Sequence, residues 1–381
     1  MMTRFFAFED LTWPEVKSLP RDSPLIIPLG EGYPREILAE ALGNPDSVGL
    51  LPEFPFGWTD SGLRVLECLL GAYLRNLLAS LRDDGFTRVF ALTPPGLNLE
   101  LGNSQIALPI QPRKELYPTL PPDNNQDKVV IIPIGHTEQH GYHLPLSTDT
   151  RIIDAICKKT VQNTETKATM LPVMPYGVST HRSSFAGTLN AQGRAFEDFW
   201  LGIIDVLVAR SFNRFYFISG HGGNCSFLVN VVKYAGERYP WIFCATSWLY
   251  LSSPDGISSL EKYRRSGMGG MGHACELETS LMLYLHPELT HMEKVVDEIN
   301  FISTPSYYMD WVEGGSLIAN PPWEDDTLTG AYGAGSLATE ENGKIWLEAA
   351  IEEKIKHVNE IHEQYQRRNK QRQARLTNHL A

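Results

Sequence analysis

The sequence predicts an α/β protein built on a mostly parallel β-sheet flanked by helices. Between residues 128 and 246, short apolar runs that are typical of buried strands alternate with longer segments of helical periodicity. This strand–helix alternation favours a parallel sheet whose faces are covered by helices. Potential metal ligands also follow directly after two of the predicted strands, at the sheet edge where open α/β proteins bind their ligands.

The composition is that of a globular protein. The 381 residues are enough for a large core and allow two domains, and 43% of them are hydrophobic. A formal net charge of -12 argues against a general nucleic-acid-binding protein. No apolar run reaches membrane-spanning length, the N-terminal residues lack the form of a signal peptide, and the five cysteines form no disulfide framework. We therefore expect a cytoplasmic protein without membrane or nucleic-acid partners.

Residues 1–110 carry strand and helix signals of their own. Residues 24–30 and 87–92 are predicted strands, and residues 64–82 form a predicted amphipathic helix with leucines on one face. Residues 111–127 are rich in Pro, Asp, Asn and Gln, which is typical of a linker. The sequence therefore predicts an N-terminal α/β segment that is separate from the main domain.

The N-terminal segment also resembles the later part of the chain. Its apolar run ending at residue 30 parallels the run ending at residue 135, and residues 51–57 and 85–90 parallel residues 171–177 and 211–216. The offsets increase from 133 − 28 = 105 through 172 − 52 = 120 to 212 − 86 = 126, as they would if a first copy had lost residues by deletion. The hypothesis is a degenerate partial duplication, and the alternative is a chance likeness between short α/β pieces. A different strand order in the two halves would exclude the duplication.

The main domain is predicted to span residues 128–353. Its expected strands lie at residues 128–134, 170–173, 214–219 and 242–246, and its expected helices at residues 149–162, 191–210 and 224–238. A long helix is predicted from Glu340 to about residue 380. Its end, within residues 354–381, is basic and is interpreted as a solvated helix end or tail, with contact to a polyanion as the alternative.

Four potential metal ligands follow the strand at residues 128–134. Glu138, His140, His143 and Asp149 fall within a dozen residues of predicted loop. Carboxylate and imidazole together suit Zn, Mn or Fe(II). Glu138 and His140 are two residues apart, so on an extended loop they point the same way. Each of them could take one metal ion, with Asp149 bridging the two ions.

Three separate segments resemble motifs of the creatininase (creatinine amidohydrolase) family. Residues 138–149 match the signature EQHGxHLPxxTD, residues 220–224 match the form GHGGN, and residues 273–280 match HAGExETS with Cys275 in place of Gly. A glycine-rich stretch from Gly330 also looks like a late loop of the family. The resemblance covers about residues 129–353 and implies a three-layer α/β/α fold, a homo-oligomer and two divalent metal ions (Zn, Mn or Fe(II)).

The resemblance also implies the ligands of the two ions. Glu138, Asp149 and His221 would hold one ion, and His140, Asp149 and one further carboxylate would hold the other. Creatininase itself has a Glu at the position of Gly223, so this further carboxylate must come from elsewhere. In a helix, His273 and Glu276 would share a face, whereas Glu276 and Glu278 would lie about 200° apart. In relatives with the GHGGN form the Glu of HAGExETS looks like the substitute, which falls on Glu276, and the helical spacing agrees with this resemblance. We therefore expect Glu276 to be the ligand, with Glu278 in a supporting role.

Three histidines complete the predicted site. His273 is the expected proton-transferring or substrate-polarising group. His143 is expected to hydrogen-bond to a ligand carboxylate, and His181 lies where relatives often carry a histidine near the substrate. In the N-terminal segment, Gly32-Tyr33-Pro34 and Thr93–Gly96 stand where the ligand motifs would be, so that segment should be catalytically silent.

The resemblance implies a metal-dependent hydrolase that cleaves a C–N amide bond of a small cyclic or formylated amide. Hydroxide generated by the metal ions would attack the carbonyl carbon, with His273 and the ions stabilising the oxyanion. The GHGGN form leaves a second enzymatic activity open, the ring opening of a keto-inositol-like cyclic ketone by C–C cleavage. A non-catalytic metal-binding scaffold is the alternative outside the enzymes.

Overall fold

The computed structural model describes residues 3–109, 118–180, 184–312 and 314–379, with side chains described up to residue 376. It contains two parallel sheets flanked by helices, which confirms the predicted fold class. Among the described residues, none of the helices combines the length and the apolar character that a membrane span requires.

The N-terminal unit is built on a five-stranded parallel sheet of order β1-β3-β2-β4-β5. The predicted strands and the predicted helix of this unit are all present. In chain order its elements are β1 (Arg4–Ala7), α1 (Trp13–Ser18), β2 (Leu25–Pro28), α2 (Arg35–Ala41), β3 (Ser47–Leu50), α3 (Glu67–Asp83), β4 (Val89–Thr93) and β5 (Gln105–Ala107).

The second unit has a four-stranded parallel sheet of order β7-β6-β8-β9 and an antiparallel pair, β10 with β11. Each predicted strand and helix of this unit is present, with ends that differ by a few residues. Its elements are β6 (Val129–Ile134), α4 (Thr148–Asn163), β7 (Ala168–Met170), α5 (Gly193–Ala209), β8 (Arg214–Ser219), α6 (Gly222–Arg238), β9 (Phe243–Thr246), α7 (Pro254–Tyr263), β10 (Met271–His273), α8 (Glu276–Leu285), β11 (Tyr332–Gly333) and α9 (Glu340–His379).

The two units share one hydrophobic core. α3 and α5 carry buried apolar residues at helical spacing, and these two stripes pack against each other. At the centre of this contact the rings of Tyr73 and Phe199 lie 5.1 Å apart. Phe54, which follows β3, packs edge-on against both rings. The N-terminal unit is therefore joined to the second unit by buried aromatic side chains.

The strand order around β2 is the same as the order around β6. Ile26 of β2 pairs with Leu50 and Phe90, and Ile131 of β6 pairs with Met170 and Tyr216. The differences, 131 − 26 = 105, 170 − 50 = 120 and 216 − 90 = 126, equal the three offsets found in the sequence. The strand order is therefore compatible with a duplication, which a different order would have excluded.

The long C-terminal helix α9 packs against α4, α7 and α8. It runs without a break across the predicted domain boundary at residue 353, and Val358 beyond that boundary is fully buried. The helix up to at least Ile361 therefore contributes to the core, since its apolar face continues past the boundary. Of the predicted linker, residues 111–117 lie outside the described residues.

Candidate metal centre

Four of the five predicted ligands meet at the carboxyl ends of β6 and β8. The loop between β6 and α4 carries Glu138 and His140, α4 brings Asp149, and His221 follows β8 directly. His273, at the end of β10, lies beside them. Each of these five residues is at most 2% exposed. Buried carboxylates and imidazoles at this density rarely serve packing alone.

Two glycines of the GHGGN segment allow the strand end to approach the ligands. A Cβ atom on Gly220 would lie 2.4 Å from the carbonyl oxygen of Asp149, and one on Gly223 would lie 2.4 Å from His221 Nε2. Both distances are too short for non-bonded atoms. A side chain at position 223 would therefore displace His221, which is consistent with a second carboxylate supplied from elsewhere.

Backbone carbonyl groups orient the two histidines nearest Asp149. His221 donates from Nε2 to the carbonyl oxygen of Val178 (2.9 Å), which leaves Nδ1 2.9 Å from Glu138 Oε1. His140 donates from Nδ1 to the carbonyl oxygen of Glu138 (3.1 Å), which leaves Nε2 3.1 Å from Asp149 Oδ1. Hydrogen bonds of this kind fix the tautomer of a metal-binding histidine. In each ring the nitrogen that faces the carboxylates can therefore offer a lone pair.

His273 is held in the same way. Its Nε2 donates to the carbonyl oxygen of Gln139 (2.8 Å), and its Nδ1 lies 3.7 Å from Glu138 Oε1. The ring lies 4.2 Å from that of His140 and contacts Trp323 edge-on at 5.0 Å. The Nδ1 atom of His273 therefore points into the cluster from a fixed ring.

The carboxylates of the cluster favour the charged form of its histidines. Burial disfavours the charged form of His140 and His221, yet the surrounding carboxylates raise the pKa of both to about 9. Asp149 Oδ2 is buried and has no hydrogen bond among the described residues, and it lies 3.4 Å from His221 Nδ1. Oxygen and nitrogen donors in this arrangement fit Mn, Zn or Fe(II). The residues present thus fit the metal ions that the sequence implies.

The structure reverses the predicted placement of the two carboxylates of α8. Ligand atoms of Glu278, His140 and Asp149 lie within 4.8 Å of one another. Glu276 turns away and accepts hydrogen bonds from the backbone amides of Arg265 and Ser266, both at 2.8 Å. Glu278 is therefore the carboxylate that reaches the cluster, and the expectation that Glu276 does so is wrong.

The reason for this reversal is the backbone before α8. His273 belongs to β10, and Ala274 has a positive φ of 48°. The helix begins only at Glu276, so helical spacing does not relate this residue to His273. The two carboxylates do face different groups, as expected, but the side of the helix that faces the site was predicted wrongly.

His143 and His181 were also predicted to belong to the site. His143 is buried, and its Nε2 contacts the hydroxyl group of Thr279 at 2.9 Å, where we expected a ligand carboxylate. The reason is that the first turn of α8 presents Thr279 beside Glu278 at the cluster. Burial lowers the pKa of His143 to about 4, which favours its neutral form. His181 lies outside the described residues.

The sequence left open whether His136 lines the pocket or is exposed, and the structure places it beside the cluster. It is fully buried and stacks on the His221 ring at 4.5 Å. Its Nδ1 accepts a hydrogen bond from the backbone amide of Gly177 (2.9 Å), which places the proton of a neutral ring on Nε2. His136 is therefore suited to support His221 and poorly suited to bind a metal ion. Its position directly before the ligand motif was the available signal.

A cavity of about 520 Å³ opens onto the cluster. Asp149, His221, His273 and Glu278 lie at its polar end. The walls are mostly apolar: Val178 lies between β7 and α5, Phe227 on α6, Trp248 and Leu249 after β9, Met271 on β10, and Met309, Trp311 and Ile318 before β11. A pocket of this kind can bind a small molecule and exclude water from the polar end.

Comparison with known proteins gives the same family as the motifs. The family model for creatininase, described as creatinine amidohydrolase, matches residues 117–358. The chain is 26% identical over 239 residues to the creatinine amidohydrolase of Pseudomonas putida, a match that covers 59% of this chain and 86% of the relative. It is also 26% identical over 263 residues to the 3-dehydro-scyllo-inosose hydrolase of Thermotoga maritima, covering 63% of this chain and 79% of that enzyme.

A third relative is the mycofactocin precursor peptide peptidase of Mycolicibacterium smegmatis. It is 32% identical over 171 residues, a match that covers 42% of this chain and 59% of the peptidase. Among solved structures, the manganese form of creatininase superposes with a TM-score of 0.51 at 22% identity, over 64% of this chain and 93% of that chain. This structural likeness supports the fold. The family model spans well over half of the sequence, and the chain therefore belongs to the creatininase family and is a metal-dependent hydrolase of that family.

Proposed function

We propose that the protein is a dinuclear metal-dependent amidohydrolase that cleaves the C–N amide bond of a small cyclic or formylated amide. The observation that carries this proposal is the position of Asp149 between two histidines. Its Oδ1 lies 3.1 Å from His140 Nε2, and its Oδ2 lies 3.4 Å from His221 Nδ1. A carboxylate placed in this way can bridge two metal ions.

The proposed ligand sets share Asp149. Glu138 and His221 complete the set for one ion, because His221 Nδ1 lies 2.9 Å from Glu138 Oε1. His140 and Glu278 complete the other set. Manganese, zinc or ferrous iron would suit these donors. We propose a cytoplasmic homo-oligomer, on the composition and on the family resemblance.

When bound, two divalent ions would activate a water molecule and polarise the amide carbonyl. The protein's own residues then have separate tasks. The Nδ1 atom of His273, held by the Nε2 bond to the Gln139 carbonyl, can carry a proton to the leaving nitrogen or donate to the developing oxyanion. The apolar walls of the cavity limit access of bulk water, which strengthens these polar contacts.

The comparisons also support one alternative enzymatic activity. The relative from T. maritima is named as a hydrolase of an inosose, and its match covers 63% of this chain. Ring opening of a keto-inositol-like substrate by C–C cleavage is therefore the second candidate. The amide reaction is preferred because the relatives from P. putida and M. smegmatis are named as an amidohydrolase and a peptidase. A non-catalytic metal-binding scaffold is disfavoured, since both ligand sets are complete.

Product analysis separates these candidates. Protein loaded with Mn²⁺ or Zn²⁺ is incubated with panels of cyclic amides, formamides and cyclic keto-polyols, beside Asp149→Asn as the control. The proposal predicts a new amine from at least one amide, with the wild type only. Turnover of keto-polyols alone would favour the alternative activity, and turnover of no compound by a fully metal-loaded protein would favour the scaffold.

We also propose that the N-terminal unit is a degenerate, catalytically silent copy of the second unit. The shared strand order and the equal register offsets support this interpretation. Gly32-Tyr33-Pro34 and Pro94-Pro95 stand where the second unit has its ligand motifs, and none of these residues carries a carboxylate or an imidazole; the carboxylate between β2 and Gly32 is that of Glu31. The number of metal ions per chain tests this idea, because a silent copy predicts two ions and a working copy predicts four.

A further inference from the structure

The first residues of the N-terminal unit contact the loop that carries the proposed metal ligands. The backbone amide of Ser147 donates to the carbonyl oxygen of Glu9 (3.0 Å), and the amide of Leu146 donates to that of Leu11 (2.9 Å). These two bonds lie at the end of the loop, directly before Asp149. The N-terminal unit therefore fixes the backbone that leads into the bridging carboxylate.

An ion pair holds the other side of Asp149. Arg151, two residues further along α4, donates from NH2 to Asp10 Oδ1 at 2.6 Å. The same guanidinium donates from Nε to Ser147 Oγ at 2.8 Å. Asp149 is thus flanked on both sides by residues that contact the segment from Glu9 to Leu11.

Trp13 makes a third connection through a neighbouring turn. The indole is 7% exposed, and its Nε1 donates to the carbonyl oxygen of Thr329 at 2.8 Å. The next residue, Gly330, accepts a hydrogen bond from Gln139 Nε2 (2.8 Å), and Gln139 lies between Glu138 and His140. The ring of Trp13 also lies 5.5 Å from Tyr142 of the loop. Trp13 therefore supports the middle of the loop.

The contacting segment is itself well fixed. Helix α1 starts at Trp13, and a capping box closes its first turn, with the Thr12 amide donating to Glu15 Oε2 at 2.8 Å. A metal site needs such support, since ligands must be held within about 0.5 Å of a working geometry. The loop between β6 and α4 has no helix and only isolated β-bridges, so it depends on outside contacts.

We propose that residues 9–13 of the N-terminal unit act as a positioning clasp for the metal-binding loop. The clasp places no atom in the metal cluster. It sets the position of Asp149 through Asp10 and the backbone, and the position of Glu138 and His140 through Trp13. The inference gives the ligand-free unit a role in the activity of the other unit, and it rests on the proposed metal-binding role of the loop.

The test measures Mn²⁺ affinity in the full chain. The dissociation constants are determined by titration calorimetry for wild type, Asp10→Asn, Trp13→Phe and the double variant, together with the thermal unfolding midpoint of each metal-free protein. Asp205→Asn is the matched control. The ion pair between Asp205 of α5 and Arg238 of α6 has the same length of 2.6 Å, and the two aspartates are similarly exposed, but neither helix belongs to the metal-binding loop. Asp10→Glu, which restores the carboxylate, is the rescue variant.

The clasp predicts that each single variant weakens Mn²⁺ binding about 3- to 10-fold, less than the 10- to 100-fold typical of residues that contact ligands directly. The double variant should lose more, while Asp10→Glu and Asp205→Asn should bind like wild type. The side chain of Asp10 is 37% exposed, so we expect Asp10→Asn to fold normally. This variant therefore tests the clasp even if Trp13→Phe folds poorly.

Two negative outcomes have different meanings. If wild type binds Mn²⁺ and both single variants bind it equally well, whatever their unfolding midpoints, the clasp is overturned and the proposed function stands. If wild type binds no divalent metal ion, the proposed function and the clasp are both overturned.

Discussion

His140 Nε2 lies 3.1 Å from Asp149 Oδ1, and both side chains are buried. The other oxygen of Asp149 faces His221, so one carboxylate stands between two imidazoles that come from different strand ends. Buried groups of this kind are costly unless they are paired or bind a cation. The relationship therefore makes Asp149 the residue on which both proposed metal ions depend.

Asp149→Asn should abolish binding of both ions. The expected loss of kcat/KM is at least about 1,000-fold, since the ions contribute several kcal/mol and about 1.4 kcal/mol corresponds to a factor of ten in rate. Metal analysis and steady-state kinetics measure the two effects. Asp154→Asn, which removes a surface ion pair with Lys158 on the same helix, is the control and should keep both ions. A fully active Asp149→Asn protein would contradict the assignment.

His273→Asn should remove activity without removing metal. We expect kcat to fall by about 100- to 10,000-fold, the usual contribution of a positioned proton-transfer group. Metal content should stay at the wild-type value because the proposed ligand sets do not include His273. His362→Asn, on the exterior of α9, provides the control. Loss of one ion in His273→Asn would instead make this residue a ligand.

Metal affinity should rise with pH. Burial opposes protonation of His140 and His221, but the neighbouring carboxylates raise both pKa values from 6.5 to about 9 in the metal-free protein. Because metal ions must displace these protons, Mn²⁺ should bind more tightly as the pH rises from 6.5 to 9, and binding should release protons. Calorimetry in two buffers with different ionisation enthalpies counts the protons. An affinity that does not change over this range would mean that these imidazoles are not protonated in the metal-free protein.

The stability of the metal-free protein should have the opposite dependence on pH. Since the folded pKa values of His140 and His221 lie above the unfolded value of 6.5, their stabilising contribution is complete below about pH 6.5 and is lost as the pH rises through about 9. The unfolding midpoint of chelator-treated protein should therefore fall between pH 7 and 9. A midpoint that rises over this interval would mean that the imidazoles are not charged in the folded protein.

Phe199→Ala should destabilise both units together. Phe199 packs on Phe54 and Tyr73 of the N-terminal unit, and truncation of a buried Phe typically costs about 3–5 kcal/mol. Urea unfolding followed by far-UV circular dichroism should show a single transition at a lower midpoint. Tyr234→Ala, at a position that is 45% exposed, should change the free energy of unfolding by less than about 0.5 kcal/mol. Two separate transitions would show that the units do not form one cooperative core.

The fold could be predicted because its signals are local. β6 and β8 are buried at every position, so each appears in the sequence as a continuous apolar run. The ligands Glu138, His140 and Asp149 were found because they follow such a run within one short segment. The order of the strands carries no local signal. The shared strand order of the two sheets became visible only from the strand partners of Ile26 in one sheet and of Ile131 in the other.

The choice between Glu276 and Glu278 could not be predicted from spacing. It depends on the positive φ of Ala274, which is not a glycine and gave no sequence signal for a break in the helix. The partner of His143 was missed for a related reason, because Thr279 comes from a distant segment. The walls of the cavity around Met309 and Trp311 also lack any periodic pattern that would place them beside the cluster.

Glu278 is proposed as a ligand in a site for two metal ions. The most direct test is the metal content per chain of protein purified without chelator, for wild type, Glu278→Gln and Glu276→Gln. We expect two ions in wild type, about one in Glu278→Gln and two in Glu276→Gln. The last variant should be less stable, because Glu276 accepts hydrogen bonds from two backbone amides. One ion or none in wild type, or a loss confined to Glu276→Gln, would contradict this proposal.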